Sequence, residues 1–454
     1  MPLTLLGFCG LALAVAISFL VVSCSDKINT PDTAEHLSAF HEQYYSEEFD
    51  ELKGDNLSLY VDYSTCIAMG QNSNFFRAMI PAMTDATMAY FAIEGKCITE
   101  HDADSTYNLL RLINEVDYAD LKTAVERMAD GNSESLLLTD GEFFQQNATR
   151  DNLRNPYMAN AFKKWILRGH DIYFVSEPYV EQYKGKLYNK KRFYILFTDN
   201  RLNGNFYERI LRLGILQNFP DVEIFHLAAD HPSVLSPDGK HSKVNSVLQA
   251  KVRGIGNMEI QSWEVDWKNG IKPLVVQAVD QKTGEPLPNG DYILKDIKVD
   301  RNSMGAFRIT NVVAKVSNVN EAYSAFVTAK ENKVKPDISS CEPWEVDNFI
   351  KLDSKEFDKH GEIVLYFDKE MYDPSSLDGK PYNYTKIDIC VDKVESVFGQ
   401  YEDKFNFESI TMSGELNVSI SESIKQCIAD PKVQDKVKQT PIYSIYIQSS
   451  AYKE

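Results

Sequence analysis

The sequence predicts an α/β domain with a doubly wound, mostly parallel sheet, followed by β-sandwich domains. In the first half of the chain, short apolar runs typical of buried strands alternate with runs of helical period, which favours a parallel sheet covered by helices. In the second half, alternating runs are separated by Gly, Pro and Asn turn signals, which is typical of antiparallel sandwiches. With 454 residues and 43% hydrophobic content, the chain is long enough for two to four domains of this kind.

The first-half elements follow one another from residue 57 to residue 228. Apolar runs that end at Asp or Gly predict strands over 57–62, 88–93, 135–139, 171–176, 192–198 and 222–228. Apolar residues at three- and four-residue spacing predict helices over 73–87, 109–128, 158–168 and 206–213. Four predicted strands end in an acid, at Asp62, Asp140, Asp199 and Asp230. Since functional crevices form at the carboxyl ends of parallel strands, we expect a site there.

The second-half elements are mainly strands. They are predicted over 247–252, 259–267, 273–279, 291–299, 306–316, 322–329, 362–367, 384–391, 407–420 and 442–448, with one helix over 421–429. A stretch rich in Lys, Pro and Ser at 333–343 interrupts them. We therefore expect one β-sandwich over 245–332 and a second sandwich-like domain over 340–454, with a single larger sandwich as the alternative.

The N-terminus carries a targeting signal. An apolar run over 3–22 leads into Val-Val-Ser-Cys at 21–24, which resembles the lipobox of bacterial lipoprotein signal peptides. The resemblance implies removal of residues 1–23, acylation of Cys24 with palmitate-type chains, and a lipid anchor in the cell envelope, at the outer membrane. An uncleaved membrane anchor is the alternative, because the run is long enough to span a bilayer and no Lys or Arg precedes Cys24. Residues 24–55 are expected to form an acidic tether with a short helix within 34–52.

Two strand ends resemble a known family. The segment 62–66, Asp-Tyr-Ser-Thr-Cys, is similar to the DxSxS loop of von Willebrand factor A domains, and 136–142, Leu-Leu-Leu-Thr-Asp-Gly-Glu, is similar to the later strand that ends in TDG. The resemblance covers 56–235. It implies that Asp62, Ser64 and Asp140 hold Mg²⁺ or Mn²⁺, with Thr139 and Glu142 beside them. An open metal position would then bind a partner carboxylate, since hard cations prefer oxygen ligands.

The sequence departs from this family at two positions. Cys66 replaces the second Ser of the loop, and Ala119 stands where the resemblance places a metal-binding Thr, with Thr106 and Thr123 as substitutes. A neutral thiol is a poor Mg²⁺ ligand. A scaffold with a non-functional metal site therefore stays open, in which Asp62 caps a helix, Ser64 bonds to loop amides and Asp140 stabilises the turn at Gly141.

A metal-dependent phosphate-ester hydrolase is the third alternative. The segment 225–231, which ends in Asp230-His231, looks like the strand ending of alkaline-phosphatase-like enzymes, where such residues bind zinc. In this case Asp62, Ser64, Asp140, Asp230 and His231 would form the site. The chain contains no nucleophile elbow, P-loop or zinc-protease motif, so we expect a binding or assembly module rather than an enzyme.

The charge balance restricts the partners. The chain has 48 Lys and Arg against 66 Asp and Glu, a net charge of −18, which argues against a nucleic-acid partner. The expected partners are a membrane, through the lipid anchor, and an unidentified protein or glycan. One basic cluster over 184–192 predicts either a solvated hairpin or a docking loop for an anionic partner.

Overall fold

The structure is a computed structural model. It describes residues 31–45, 52–64, 67, 73–112, 118–143, 150–229, 234–235, 248–252, 256–266, 270–273, 292–335, 344–345, 349–368, 382–412, 414–439 and 441–452. The segment 1–30 with Cys24, and also Thr65, Cys66, Asp230 and His231, lie outside the described residues.

A seven-stranded sheet organises the first half of the chain. Its strands are β1 (Lys53–Asp62), β2 (Thr87–Glu94), β3 (Cys97–His101), β4 (Ser133–Thr139), β5 (Asp171–Tyr183), β6 (Lys186–Thr198) and β7 (Glu223–Leu227). The helices of this half are α1 (Pro31–Tyr44), α2 (Asn74–Ala86), α3 (Thr106–Leu109), α4 (Leu121–Asp130), α5 (Ala159–Leu167) and α6 (Phe206–Arg212). The strand order is β3-β2-β1-β4-β6-β5-β7.

The sheet is mixed rather than mostly parallel throughout. Its centre, β2-β1-β4, is parallel as the sequence predicts, whereas β4-β6, β6-β5 and β5-β7 pair antiparallel. Four of the seven strands therefore run in one direction. The reason lies in the turn between β5 and β6, where Lys184 and Gly185 have φ values of 47° and 78°. A two-residue turn of this type joins only antiparallel neighbours.

Helices cover both faces of this sheet, which confirms the α/β layering. In β4, Leu137 faces a core that contains α4 and α5, while Leu136 and Leu138 face a second core that contains α2 and α6. Side chains alternate across a strand, so a continuous apolar run is buried on both sides.

Antiparallel sheets make up most of the second half. Its strands are β8 (Val234–Leu235), β9 (Leu248–Val252), β10 (Gly256–Asp266), β11 (Gly270–Pro273), β12 (Tyr292–Val299), β13 (Phe307–Asn318), β14 (Trp344–Glu345), β15 (Ile350–Leu352), β16 (Glu362–Phe367), β17 (Tyr382–Ser396), β18 (Phe407–Glu408), β19 (Leu416–Asn417) and β20 (Pro441–Tyr452). Its helices are α7 (Asn320–Glu331), α8 (Ser354–His360), α9 (Ser419–Ala429) and α10 (Pro431–Gln439). One sheet has the order β11-β10-β20-β17-β13-β14 with β9 beside β10, and a smaller sheet has the order β15-β16-β12-β8.

The predicted division into 245–332 and 340–454 is wrong at the level of the sheets. Strand β10 pairs with β20, and β13 pairs with β17, so strands from both ranges belong to one sheet. Helices α9 and α10 pack against α5 of the first half, and α10 also packs against β17. One hydrophobic core therefore runs from Leu137 to Ile445.

The predicted strand over 322–329 is instead the helix α7. Ala322, Tyr323 and Phe326 are its buried apolar residues, and the spacings of four and three positions to Phe326 place them on one helical face. The aromatic residues and Val in this run favour a strand locally. Burial of the helical face against α1 decides the outcome.

The predicted acidic tether over 24–55 is partly wrong. Residues 31–44 form α1, whose Leu37 and Phe40 are fully buried against Tyr323, Phe326 and Tyr446. The expected helix within 34–52 is present over residues 34–44, and residues 46–51 lie outside the described residues. Among the helices that the structure describes, none has the length and apolar character required to cross a membrane.

Candidate functional site

Asp62 and Asp140 meet at one end of the first sheet, as their positions in the sequence predict. Strands β1 and β4 are parallel neighbours, with Val61 opposite Leu138, so that both strands end at the same level of the sheet. Asp62 is 1% exposed and Asp140 is fully buried. Thr139 connects the two turns, because its hydroxyl donates a 2.8 Å hydrogen bond to Asp62 Oδ2.

Each carboxylate also stabilises its own turn. Asp62 Oδ1 accepts a 2.9 Å bond from the backbone N–H of Ser64, and Asp140 Oδ1 accepts one of 2.9 Å from the N–H of Glu142. The N–H of Gly141 donates to Thr139 Oγ1 at 3.0 Å. These are Asx-type turns, which is the structural role that the sequence leaves open for Asp140.

A buried lysine faces the second acid. Lys190 of β6 is 1% exposed, and its Nζ lies 3.3 Å from Asp140 Oδ2 and 2.9 Å from Glu142 Oε1. Its ammonium group also lies 4.7 Å from the centroid of the Phe407 ring. A buried carboxylate requires a compensating cation, and here a residue of the same chain provides it.

A loop from the second half of the chain closes over Glu142. The N–H of Ile410 and the hydroxyl of Thr411 each donate to its carboxylate at 2.7 Å, and Ser409 Oγ lies at 3.3 Å. Although burial opposes its ionisation, Lys190 and these donors hold the pKa of Glu142 below its ordinary value. The Asp140–Lys190–Glu142 group, which we call the ion cluster, is thus a closed set of charges.

Asp62 has no cation of its own among its hydrogen-bond partners. Burial, and then the nearby charge of Asp140, raise the pKa of Asp62 to about 7, while the bonds from Thr139 and Ser64 act in the opposite direction. The cavity at Asp62, Ser64 and Phe76 has a volume of about 10 Å³, which corresponds to about one water molecule. The site is closed to a larger ligand.

These residues do not fit the expected metal site. Of the four carboxylate oxygens of Asp62 and Asp140, three accept hydrogen bonds within the turns and the fourth, Asp140 Oδ2, faces Lys190. A divalent ion at Asp140 Oδ2 would meet an ammonium group at contact distance, which strongly disfavours its binding. Within the described residues, no group of three or more His, Cys, Asp or Glu side chains is arranged to hold a metal.

The middle-loop threonine of the resemblance also has no clear counterpart. Ala119 lies in an isolated bridge to Gly95, and the Thr123 hydroxyl donates to Asp120 at the start of α4. Ala119 has no side-chain oxygen that could bind a metal, and the Thr123 hydroxyl is bound to Asp120 instead of facing Asp62 or Asp140.

Strand β7 ends at the opposite edge of the sheet from Asp62 and Asp140. Strand β7, which leads to Asp230 and His231, runs opposite to β1 and β4. Through the pairings of Leu227 with Ile172 and of Ile172 with Phe197, the end of β7 lies level with Ser58 rather than with Asp62. Asp199 lies at that same opposite end and is therefore separated from Asp62 and Asp140. Asp230 and His231 lie outside the described residues.

Sequence reasoning placed Lys190 in a basic loop rather than in the site. The cluster over 184–192 is the predicted hairpin of β5 and β6, but Lys190 and Arg192 are buried while Lys186 is exposed. The available signal was the period of two: Tyr188, Lys190 and Arg192 lie on one face of the strand.

The Arg192 side of this hairpin forms a second buried ion pair. The guanidinium group lies 3.3 Å from Glu177 Oε2, and Tyr194 donates to the same oxygen at 3.0 Å. Opposite charges therefore accompany each buried cation of β6.

Comparisons with protein-family models, with curated proteins and with solved structures find no match to this chain.

Proposed function

We propose that the chain is a lipid-anchored binding or assembly module of the bacterial envelope, and that its α/β domain acts without a bound metal. Cys24 carries the anchor and the body presents a surface to a protein or glycan partner. The ion cluster is the single observation that supports the metal-free form of this proposal, because Lys190 holds the place in which the resemblance puts a cation.

The position of α1 supports a body held close to the membrane. Only six residues lie between Cys24 and Pro31, the first residue of the docked helix α1, so the link spans at most about 25 Å when fully extended. A body held at this distance suits assembly at the membrane surface.

Calorimetric titration of Mg²⁺, Mn²⁺ and Zn²⁺ tests the metal-free form of the proposal. The chain from Ser25 onward is compared with Asp140→Ala and with the exposed-charge control Asp85→Ala. We expect no binding heat that depends on Asp140. Binding of Mg²⁺ or Mn²⁺ that disappears in Asp140→Ala but persists in Asp85→Ala would contradict the metal-free form and support the adhesion-type metal site. Zinc binding near two equivalents with phosphate-ester turnover would favour the hydrolase.

Labelling of bacterial cells with palmitate tests the anchor. We expect label on a chain that has lost residues 1–23 and that is recovered in the membrane fraction, and loss of both the label and this processing in Cys24→Ala. A Cys9→Ala variant is the control, because it changes a cysteine within the removed segment. An unchanged chain that carries no label, keeps residues 1–23 and is recovered in the membrane would support the uncleaved anchor.

A further inference from the structure

A cavity of about 680 Å³ lies beyond the edge strand β7, remote from the ion cluster. Its walls come from three distant parts of the chain: β7 with its neighbours, the turn before β13, and the short helical turn after β17. Ligand sites of small molecules form preferentially in such places between packed units, at volumes of about 300–1,000 Å³.

One wall is a stack of three flat rings. Tyr173 lies between Tyr207 and His226, with ring centroids 3.7 and 4.4 Å away and interplanar angles of 12° and 10°. Asp171 fixes the imidazole through a 2.6 Å contact to Nε2, and Asn200 donates to Asp171 and accepts from the Tyr173 hydroxyl at 2.9 Å. The other imidazole nitrogen, Nδ1, has no hydrogen bond to any residue that the structure describes.

The facing wall is held rigidly against β7. Gly305 bridges to Leu227 with φ of 62°, and a Cβ atom at this position would lie 2.2 Å from the carbonyl oxygen of His226. Only glycine permits this approach. The two walls are therefore fixed relative to each other before any ligand arrives.

Three polar side chains at this cavity are free to bind a ligand. Asn302, Arg308 and Gln400 are exposed, and within the described part of the chain they make no side-chain hydrogen bond or ion pair. Glu395 lies opposite Arg308 across the strands without pairing to it. The chain has a net charge of −18, yet Arg308 forms no ion pair with a described carboxylate. Its guanidinium group is therefore available to an external anion.

We propose that this cavity binds a sugar that carries a carboxylate group. Amide, phenol and imidazole groups bind the hydroxyl groups of a sugar, and the ring stack supplies apolar surface for its C–H groups. The Arg308 fork binds the carboxylate in bidentate geometry. An apolar ligand would leave these polar groups unpaired.

The charge at the cavity favours a monoanion over a phosphate ester. Arg308 is the single Lys or Arg among the cavity residues that the structure describes, and Glu395 beside it adds negative charge. A dianionic group with one cation and one nearby carboxylate is poorly compensated. This inference concerns a different site from the ion cluster, so its failure leaves the proposed function untouched.

The test is binding of glucuronate and galacturonate to the chain from Ser25 onward, measured by ligand-observed NMR and calorimetry at up to about 10 mM sugar. Glucose and galactose are the neutral counterparts, and acetate is the anion without a sugar. The variants are Arg308→Gln and Gln400→Ala, both at exposed positions that the fold tolerates. Lys393→Gln, an exposed cation of β17, is the matched control.

We expect the acidic sugars to bind at least about tenfold more tightly than the neutral sugars, and Arg308→Gln to remove this difference. Lys393→Gln is expected to bind as the unchanged chain does, and Gln400→Ala to weaken acidic and neutral sugars alike. The proposal is overturned if no acidic sugar binds, if acetate binds as tightly as glucuronate, or if Arg308→Gln retains the preference.

Discussion

Lys190 shows how a single buried charge determines what the residues around it can do. Its ammonium group contacts Asp140 and Glu142 in the interior, where an unpaired charge is costly. Without the lysine, these two carboxylates would attract an external cation. The lysine therefore replaces a metal in the electrostatics of the turn after β4.

Removal of this cation is expected to destabilise the fold strongly. We expect Lys190→Met to lower the free energy of unfolding by about 3–5 kcal/mol, because two carboxylates would stay buried without compensation. Urea unfolding followed by Trp fluorescence measures the loss. Lys186→Met, at an exposed position of the same strand, should change the free energy by less than about 0.5 kcal/mol.

The double variant Lys190→Met/Asp140→Asn distinguishes charge from packing. If uncompensated charge causes the loss, neutralising Asp140 restores part of the stability. Equal unfolding free energies of the single and double variants would contradict the electrostatic explanation.

Asp62 is expected to give the stability a specific pH dependence. Its folded pKa of about 7 lies above the ordinary value for Asp, so the folded state binds more protons than the unfolded state between pH 4 and 7. The contribution of Asp62 therefore stabilises the fold below pH 4 and is lost as pH rises through 7, by at most about 1.4 kcal/mol per pH unit.

The difference in unfolding free energy between the unchanged chain and Asp62→Asn isolates the contribution of Asp62 to stability. We expect the unfolding free energy of the unchanged chain, relative to Asp62→Asn, to fall between pH 5 and pH 8. Asp85→Asn, at an exposed acid of α2, should show no such trend. A relative stability that stays constant or rises with pH would rule out a raised pKa of Asp62.

At the scale of elements, α1 is expected to depend on one aromatic contact. Phe40 is fully buried, with ring centroids of Tyr323 and Phe326 at 5.4 and 5.6 Å. We expect Phe40→Ala to cost about 3–5 kcal/mol of docking free energy and to remove the hydrogen-exchange protection of residues 31–44. Glu35→Ala, on the exposed side, should leave that protection intact, and an unprotected helix in the unchanged chain would show that α1 does not dock.

The turn after β4 leaves no room for a side chain at Gly141, and a comparison with Gly185 measures the cost of adding one. Gly141 and Gly185 have similar φ values of 76° and 78°, but a Cβ atom would lie 2.7 Å from Ile420 at Gly141 and meets nothing within 4 Å at Gly185. We expect Gly185→Ala to cost about 1–2 kcal/mol through its backbone alone. Gly141→Ala should cost about 1–3 kcal/mol more in urea unfolding. Equal costs would show that the turn relaxes without strain.

At the scale of the whole molecule, the two halves of the chain are expected to fold together. The core that covers one face of the first sheet includes Ile424 and Ile428 of α9 and Val433 of α10. A fragment of residues 52–235 would expose this face. We expect it to bind a hydrophobic dye and to lack a cooperative thermal transition, in contrast to the chain from Pro31 to Glu454. A fragment that unfolds cooperatively would show an independent first domain.

The sequence by itself determined most of the local elements of the first half and the meeting of Asp62 with Asp140. Strand and helix periods are encoded within a few residues, and the parallel pairing of β1 and β4 follows from the helical run between them. The strand of residues 133–139 and the helix of residues 159–167 are therefore readable from the printed chain to within two residues.

Only the tertiary structure decided the direction of β6 and β7, the exchange of strands between the predicted sandwiches, and the place of Lys190. Each depends on pairing between segments far apart in the chain, such as β10 with β20. The spacing of apolar residues shows which face of an element is buried but not which element covers it. A lysine in a basic segment is expected at the surface, and only the fold places Glu142 and Asp140 beside Lys190. Burial sets both the partners and the chemistry of these residues, and burial is a property of the complete fold.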